Sequence, residues 1–257
     1  MQSYSSITKY KEKEEEYVKE KINSEKKVAP ENTDNAPIVI SSDKRGTTFG
    51  LLCHAVMENF DLKLLSDEKK VETEVKKMVN EYYPSTGLNE IEDYTSQDAI
   101  NFCISTLTKS YFMNEEKTKT AKIKDWQYIV REKSFFYKLK STRMDYLVGI
   151  GDGMFYWNDK YYLLDWKTNL IKPEENETIE TVIESKVRDS YYNQYMIYSM
   201  NLIDNITPKG ADKELFWNNK FGGMLFIFMR IREDNRGSFL IKPTYQDLLK
   251  FKKELVN

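Results

Sequence analysis

The residues best placed to do chemistry together lie in LLDWK, residues 163–167. On a strand, Asp165 and Lys167 stand two apart and share a face, while Leu164 and Trp166 point the other way into packing. A carboxylate beside an ammonium at a strand end can hold a metal ion and orient or activate a water next to it. Taken alone, D-x-K reads more plainly as a surface ion pair. A second acid shifts that balance. Asp152 lies in GIGDGMF on the preceding run, and the turn signal at Asn158-Asp159 folds residues near 152 back opposite residues near 165. Gly151 and Gly153 flank it, a pattern that costs strand stability and points to close backbone approach or room for a ligand. Two carboxylates meeting there repel unless a cation neutralises them, and oxygen ligands suit Mg²⁺ or Mn²⁺ better than zinc.

Other candidates are weaker taken singly. His54 is the only histidine and sits in the run R-G-x-x-x-G-x-x-x-H-x-x-x-E from Arg45 to Glu58; a lone helical histidine is more often a packing residue than a ligand. Glu58, four residues further on, could support His54 or be simply a solvated helix acid, and the second is the plainer reading. Glu132 opens REKSFFYKL in a charged flank, ordinarily a surface position. In SYYNQYMIYSM, Tyr191, Gln194, Tyr195 and Tyr198 recur every three or four residues along one helical stripe. An aromatic core face explains the tyrosines, whereas Gln194 suits a polar contact, and tyrosine with glutamine can stack on a base and bond a phosphate or sugar.

These side chains need positioning elements. RGTTFGLLCHAVMENF has Phe49, Leu52, Val56 and Phe60 at helical spacing, and residues 66–83 and 95–112 carry similar patterns, predicting a helical section of about three helices. From residue 126 the period becomes two: WQYIVREKSFFYKL, MDYLVGIGDGMFYW and KYYLLDWKTNL predict strands, the last two joined as an antiparallel hairpin. A long amphipathic helix is expected over Thr178–Ile203, then a buried strand in GGMLFIFMRI and a final helix from Thr244 to Leu255. Residues 1–43 pass through Ser/Tyr-rich, charge-run and Pro/Asn/Asp-rich stretches, which predicts a flexible tether ahead of one domain over 44–257.

The chain has 257 residues, 39 Lys plus Arg and 41 Asp plus Glu, for a net charge of −2. Its apolar and aromatic content excludes wholesale disorder. No run nears the ~20 apolar residues that span a bilayer, and the first residues lack a secretory apolar core; the expectation is a soluble, cytoplasmic protein without a membrane partner. Cys53 and Cys103 are too few for a disulfide framework or a four-cysteine cluster and read as buried small apolar residues. No G-x-x-x-x-G-K-[ST] loop occurs, so the chain itself should not use ATP. Overall charge does not mark a nucleic-acid binder, yet Lys109 to Arg143 holds ten Lys or Arg against four acids. That stretch could meet a phosphodiester backbone, or be solvated loop.

In chain order, G-x-x-x-H (His54), E-x-x-F (Glu132), G-x-x-D (Gly149 to Asp152), D-x-K (Asp165, Lys167) and Q-Y-x-x-Y (Gln194, Tyr195, Tyr198) resemble the motifs of RecB-type nucleases in the PD-(D/E)XK superfamily. The resemblance covers about residues 45–240 and also the N-terminal lead, where SYSS is similar to the segment leading into such a domain. It implies an α/β (α+β-like) restriction-endonuclease-like core, a central mixed sheet flanked by helices. It implies that His54, Asp152, Asp165 and the backbone carbonyl of Trp166 bind a divalent metal, Mg²⁺ or Mn²⁺. Lys167 would orient the attacking water and Glu132 would be an auxiliary acid. Gln194, Tyr195 and Tyr198, with Tyr191 and Arg45, would contact DNA. Asp145 in TRMDYLVG is a decoy for the G-x-x-D acid, because Asp152 has the glycine at the right offset. The family's four-cysteine iron–sulfur variants do not fit two cysteines. By resemblance the chain is a piece of a helicase-nuclease that degrades DNA at double-strand breaks, with RecC and RecD subunits, a RecA-type recombinase and ATP belonging to the parent complex. A DNA- or recombinase-docking module that does not cut is the other reading.

Overall fold

The computed structural model describes residues 38–39, 48–86, 95–138, 146–231 and 237–254. A two-residue strand, β1 (Ile38–Val39), lies within the stretch expected as tether. The TFGLLCHAVMEN run forms α1 (Thr48–Asn59), which buries Phe49, Leu52, Cys53 and Val56 along one stripe. Two further helices complete the expected helical section, α2 (Glu68–Thr86) and α3 (Ser96–Lys109). At the start of α3, Asp98 N donates to Thr95 Oγ1 while the Asp98 carboxylate accepts from the Thr95 amide, satisfying two otherwise orphaned donors. The helix expected to reach residue 112 stops at Lys109. Tyr111–Met113 instead forms β2, paired antiparallel with β3 (Thr120–Lys122). Asn114 enforces that hairpin, its Oδ1 accepting from the amides of Thr118 and Lys119.

The alternating runs form β4 (Gln127–Lys138), β5 (Tyr146–Trp157) and β6 (Lys160–Lys167), a continuous antiparallel meander. Asn158 and Asp159 both take positive φ, 47° and 64°, the two-residue hairpin turn their identities imply. The chain then crosses over through α4 (Ile179–Ser190), α5 (Tyr192–Ile206) and α6 (Lys213–Lys220) to β7 (Phe221–Phe228), which lies parallel to β6. Antiparallel β8 (Ser238–Ile241) and α7 (Tyr245–Glu254) finish the described fold. The helix expected unbroken over Thr178–Ile203 is thus two helices. They meet at Tyr191, whose φ of −109° and ψ of 11° bend the axis while the bonds Tyr191 N to Val187 O and Tyr195 N to Tyr191 O persist. Propensity gave no sign of the bend, because it serves the burial of one ring.

The main sheet runs β1-β5-β6-β7-β8, with β4 on the other edge of β5. On one side Leu164, Trp166, Leu225 and Ile227 pack under α1, α2 and α3. On the other, Leu163, Phe226 and Phe228 pack under α4, α5 and α7. This mixed sheet between helical layers is a restriction-endonuclease-like core, as the resemblance implied. Among the described residues no helix is long and apolar enough to cross a membrane.

One departure from a regular sheet positions the site. β5 pairs with β6 only from Gly153↔Leu164 to Trp157↔Lys160. Further back, β5 keeps β4 on one edge and takes β1 on the other, Ile38↔Leu147 and Val39↔Val148. The sheet therefore forks immediately beyond Gly153 and Leu164, and the next residues on the two prongs are Asp152 and Asp165.

Candidate active site

A fork leaves backbone groups without a ladder partner, and buried amides need one. The Trp166 N–H, facing the gap that β5 has left, donates to Asp152 Oδ2 at 2.6 Å. Asp152 Oδ1 lies 3.3 Å from His54 Nδ1, so α1 delivers the histidine to the same gap from above. Arg131 fixes that helix. From β4, where it pairs with Gly153, its Nη1 donates to the carbonyls of Glu58 and Phe60 at 2.8 and 2.6 Å, closing the C-terminal end of α1.

Asp165 and Lys167 share the face of β6 opposite Leu164 and Trp166, as period-two spacing required. Both are buried, with 4 % and 7 % of their surface exposed, and Lys167 Nζ stands 2.7 Å from Asp165 Oδ2. Gln194, on the first turn of α5, closes the triangle. Its Nε2 donates to Asp165 Oδ1 and its Oε1 accepts from Lys167 Nζ at 3.1 Å. The Lys167 ammonium also sits 3.9 Å from the centre of the Tyr191 ring, a close cation–π contact, and the Tyr191 hydroxyl donates to Asn169 Oδ1 at 3.0 Å. The lysine is thus held on three sides by groups from β6, α5 and the bend between the helices.

Electrostatics follow from this crowding. Burial raises the Asp165 carboxyl above the usual carboxylate range and Asp152 adds to the rise, while Lys167 opposes it. For His54, burial would lower the imidazole pKa, but Asp152 beside it and Asp165 beyond lift it to about 9. Glu58, one turn past His54, is half-buried and pushed up by burial and then by Asp152. Its place in the field of the site had no signal in the sequence beyond a spacing of four from His54. Arg131 and Asn169 likewise had none.

Of the sequence candidates, His54, Asp152, Asp165, Trp166, Lys167 and Gln194 converge. Glu132 lies on β4 between Arg131 and Lys133, which pair with Gly153 and Gly151, so its backbone is level with Asp152. Tyr191, Tyr195 and Tyr198 are buried in the core beneath α4 and α5. Arg45 lies outside the described residues. Cys53 and Cys103 are free and buried, as small apolar residues would be.

A divalent metal is tested by the donors present. Asp165 Oδ2 is buried and receives no aligned hydrogen bond despite the nearby ammonium. Asp152 and His54 add carboxylate and imidazole donors facing the same gap. Oxygen-rich donors with one nitrogen suit Mg²⁺ or Mn²⁺. Among the described residues no three His, Cys, Asp or Glu side chains are drawn together into a closed metal cluster. The donor set fits such an ion; the ion would have to take the place of contacts that His54 and Trp166 make with Asp152.

A mixed sheet of this topology between helical layers is the core of the restriction-endonuclease-like class. No protein-family profile matches the chain. Among curated proteins it is similar to RecBCD enzyme subunit RecB of Borreliella burgdorferi, 29 % identical over 258 residues, which covers 91 % of this chain and 21 % of that protein. It is also similar to RecB of Buchnera aphidicola from Acyrthosiphon pisum, 26 % identical over 164 residues, or 52 % of this chain and 14 % of that protein. The chain spans about a fifth or less of the length of the curated relatives it matches. The resemblance to RecB read from the motifs is borne out by these relatives.

Proposed function

We propose that this chain is a divalent-metal-dependent deoxyribonuclease, of the exodeoxyribonuclease V type, and the C-terminal nuclease domain of a RecBCD-type helicase-nuclease acting in double-strand-break repair and recombination. The observation that carries the reading is the buried Asp165, with one oxygen lacking an aligned hydrogen bond, locked to Lys167 through Gln194 at the sheet fork. A purely structural ion pair has no need of a third carboxylate-facing group or of a neighbouring Asp152. Asp152, Asp165, His54 and the Trp166 carbonyl would hold Mg²⁺, or Mn²⁺ in its place. The ion would supply Lewis-acid polarisation of a phosphodiester. Lys167 orients the attacking water and offsets charge developing on the phosphate, held still by Gln194 and Tyr191. Glu132 acts as an auxiliary acid, Arg45 contacts the DNA strand, and Gln194, with Tyr191, Tyr195 and Tyr198 buried around it, supports the site from behind.

By the same reading the substrate is single-stranded DNA from unwound ends, RecC, RecD and a RecA-type recombinase are partners of the whole assembly, and the setting is the cytoplasm. The test is cleavage of end-labelled single-stranded DNA by the purified chain with Mg²⁺, with EDTA, and with Asp165→Ala. Loss of cleavage with retained DNA binding in the variant supports catalysis. Binding without cleavage in every arm, unchanged by Asp165→Ala, would instead identify a docking module.

A further inference from the structure

The Tyr191 ring carries a second lysine. Lys186, on α4, places its Nζ 5.9 Å from the centre of the ring that lies 3.9 Å from Lys167 Nζ. The two ammonium groups are therefore at most about 10 Å apart, a spacing of the order of one or two steps between phosphates along a strand. The neighbours of Lys186 have partners: Arg188 Nε binds Glu184 at 2.8 Å, and Asp189 accepts from Ser185 at 3.0 Å. Lys186 is half-buried and enters no ion pair or hydrogen bond among the described residues. The aromatic bend thus holds one buried cation at the chemistry and leaves a second, unneutralised cation just outside it.

Building on the nuclease reading, the geometry points to Lys186 as the contact for a backbone phosphate beside the one that Lys167 faces. The ligand is the phosphodiester backbone of single-stranded DNA, held by charge rather than by base identity. A strand so held is registered on the site by two phosphates, one at the reaction and one next to it, and the Tyr191 ring fixes the interval between them.

The experiment measures the salt dependence of binding of the full 257-residue chain to a single-stranded oligonucleotide in EDTA, alongside cleavage in Mg²⁺. Each phosphate neutralised contributes a slope of about −0.7 for a single strand. Lys186→Gln should therefore shallow the plot by about 0.7, equal to about a threefold smaller loss of affinity between 50 and 200 mM salt. Lys186→Arg, which keeps the charge, should retain the wild-type slope, and thermal melts of both variants check the fold. One neutral methylphosphonate linkage walked along the strand should reveal a position, next to the scissile one, that weakens wild type but not Lys186→Gln. Cleavage by wild type with an unchanged slope in Lys186→Gln overturns this contact and leaves the nuclease reading standing. A Lys186-dependent slope without any cleavage supports the contact and overturns the nuclease reading. Absence of DNA binding overturns both.

Discussion

Replacing Gln194 with leucine tests whether the Asp165–Lys167 pair is held by its neighbours or merely adjacent to them. Gln194 is 3 % exposed and makes one hydrogen bond to each charged group. Bonds to charged partners are worth about 1.5–3 kcal/mol each, so losing both costs about 3–6 kcal/mol. The extra apolar burial of leucine offsets about 1 kcal/mol. Gln194→Leu should therefore destabilise the chain by about 2–5 kcal/mol, and the loosened lysine should lower cleavage about 10²-fold. Ser199 supplies the control on the same helix. It is fully buried, and its Oγ has no hydrogen-bond partner among the described residues. Ser199→Ala should thus be neutral or stabilising, since it removes a polar group that is not satisfied. Urea titration followed by tryptophan fluorescence, in EDTA, reads both. A loss below about 1 kcal/mol for Gln194→Leu, or similar losses for the two variants, would refute the triangle as a holding device.

Three further outcomes follow from the same geometry. In metal-free protein, protonated His54 contributes stability that is full below its unfolded value of about 6.5 and fades as pH rises through about 9, so Tm should fall across that window and His54→Gln should flatten the fall. Mg²⁺ should raise Tm in wild type, by the equivalent of about 2.7 kcal/mol at a hundredfold excess over Kd, and have no such effect in Asp165→Ala; scanning fluorimetry with and without EDTA decides this. Gly222→Ala would set a Cβ 2.1 Å from the ring of the fully buried Tyr162, and should cost about 3 kcal/mol or more in a denaturant titration.

Much of the site could be read from residue order because strand spacing is strict. Period two put Asp165 and Lys167 on one face, and the Asn158-Asp159 turn set the register that brings Asp152 level with Asp165. Gln194 stood out as a polar residue in an apolar stripe. What could not be read was tertiary: the pairing of β1 with β5 spans more than a hundred residues, and the fork it completes has no local signal. The bend at Tyr191 was equally hidden, because both flanking helices have ordinary helical sequence and the break answers to a ring buried against a lysine. The short strands β2 and β8 and helix α6 were missed because three or four residues carry little periodicity and eight carry only two turns.

The bond from the Trp166 amide to Asp152 ties the survival of the site to that of the sheet. The Lys167 ammonium answers to side chains, those of Asp165, Gln194 and Tyr191, whereas the Asp152 carboxylate also answers to the main chain. Loss of the Asp152 carboxylate would strand a main-chain N–H in the middle of the fold. Amide hydrogen exchange at Trp166 would report that loss directly. Within this architecture, Asp152 is a partner of the main chain as much as a side chain of the candidate site.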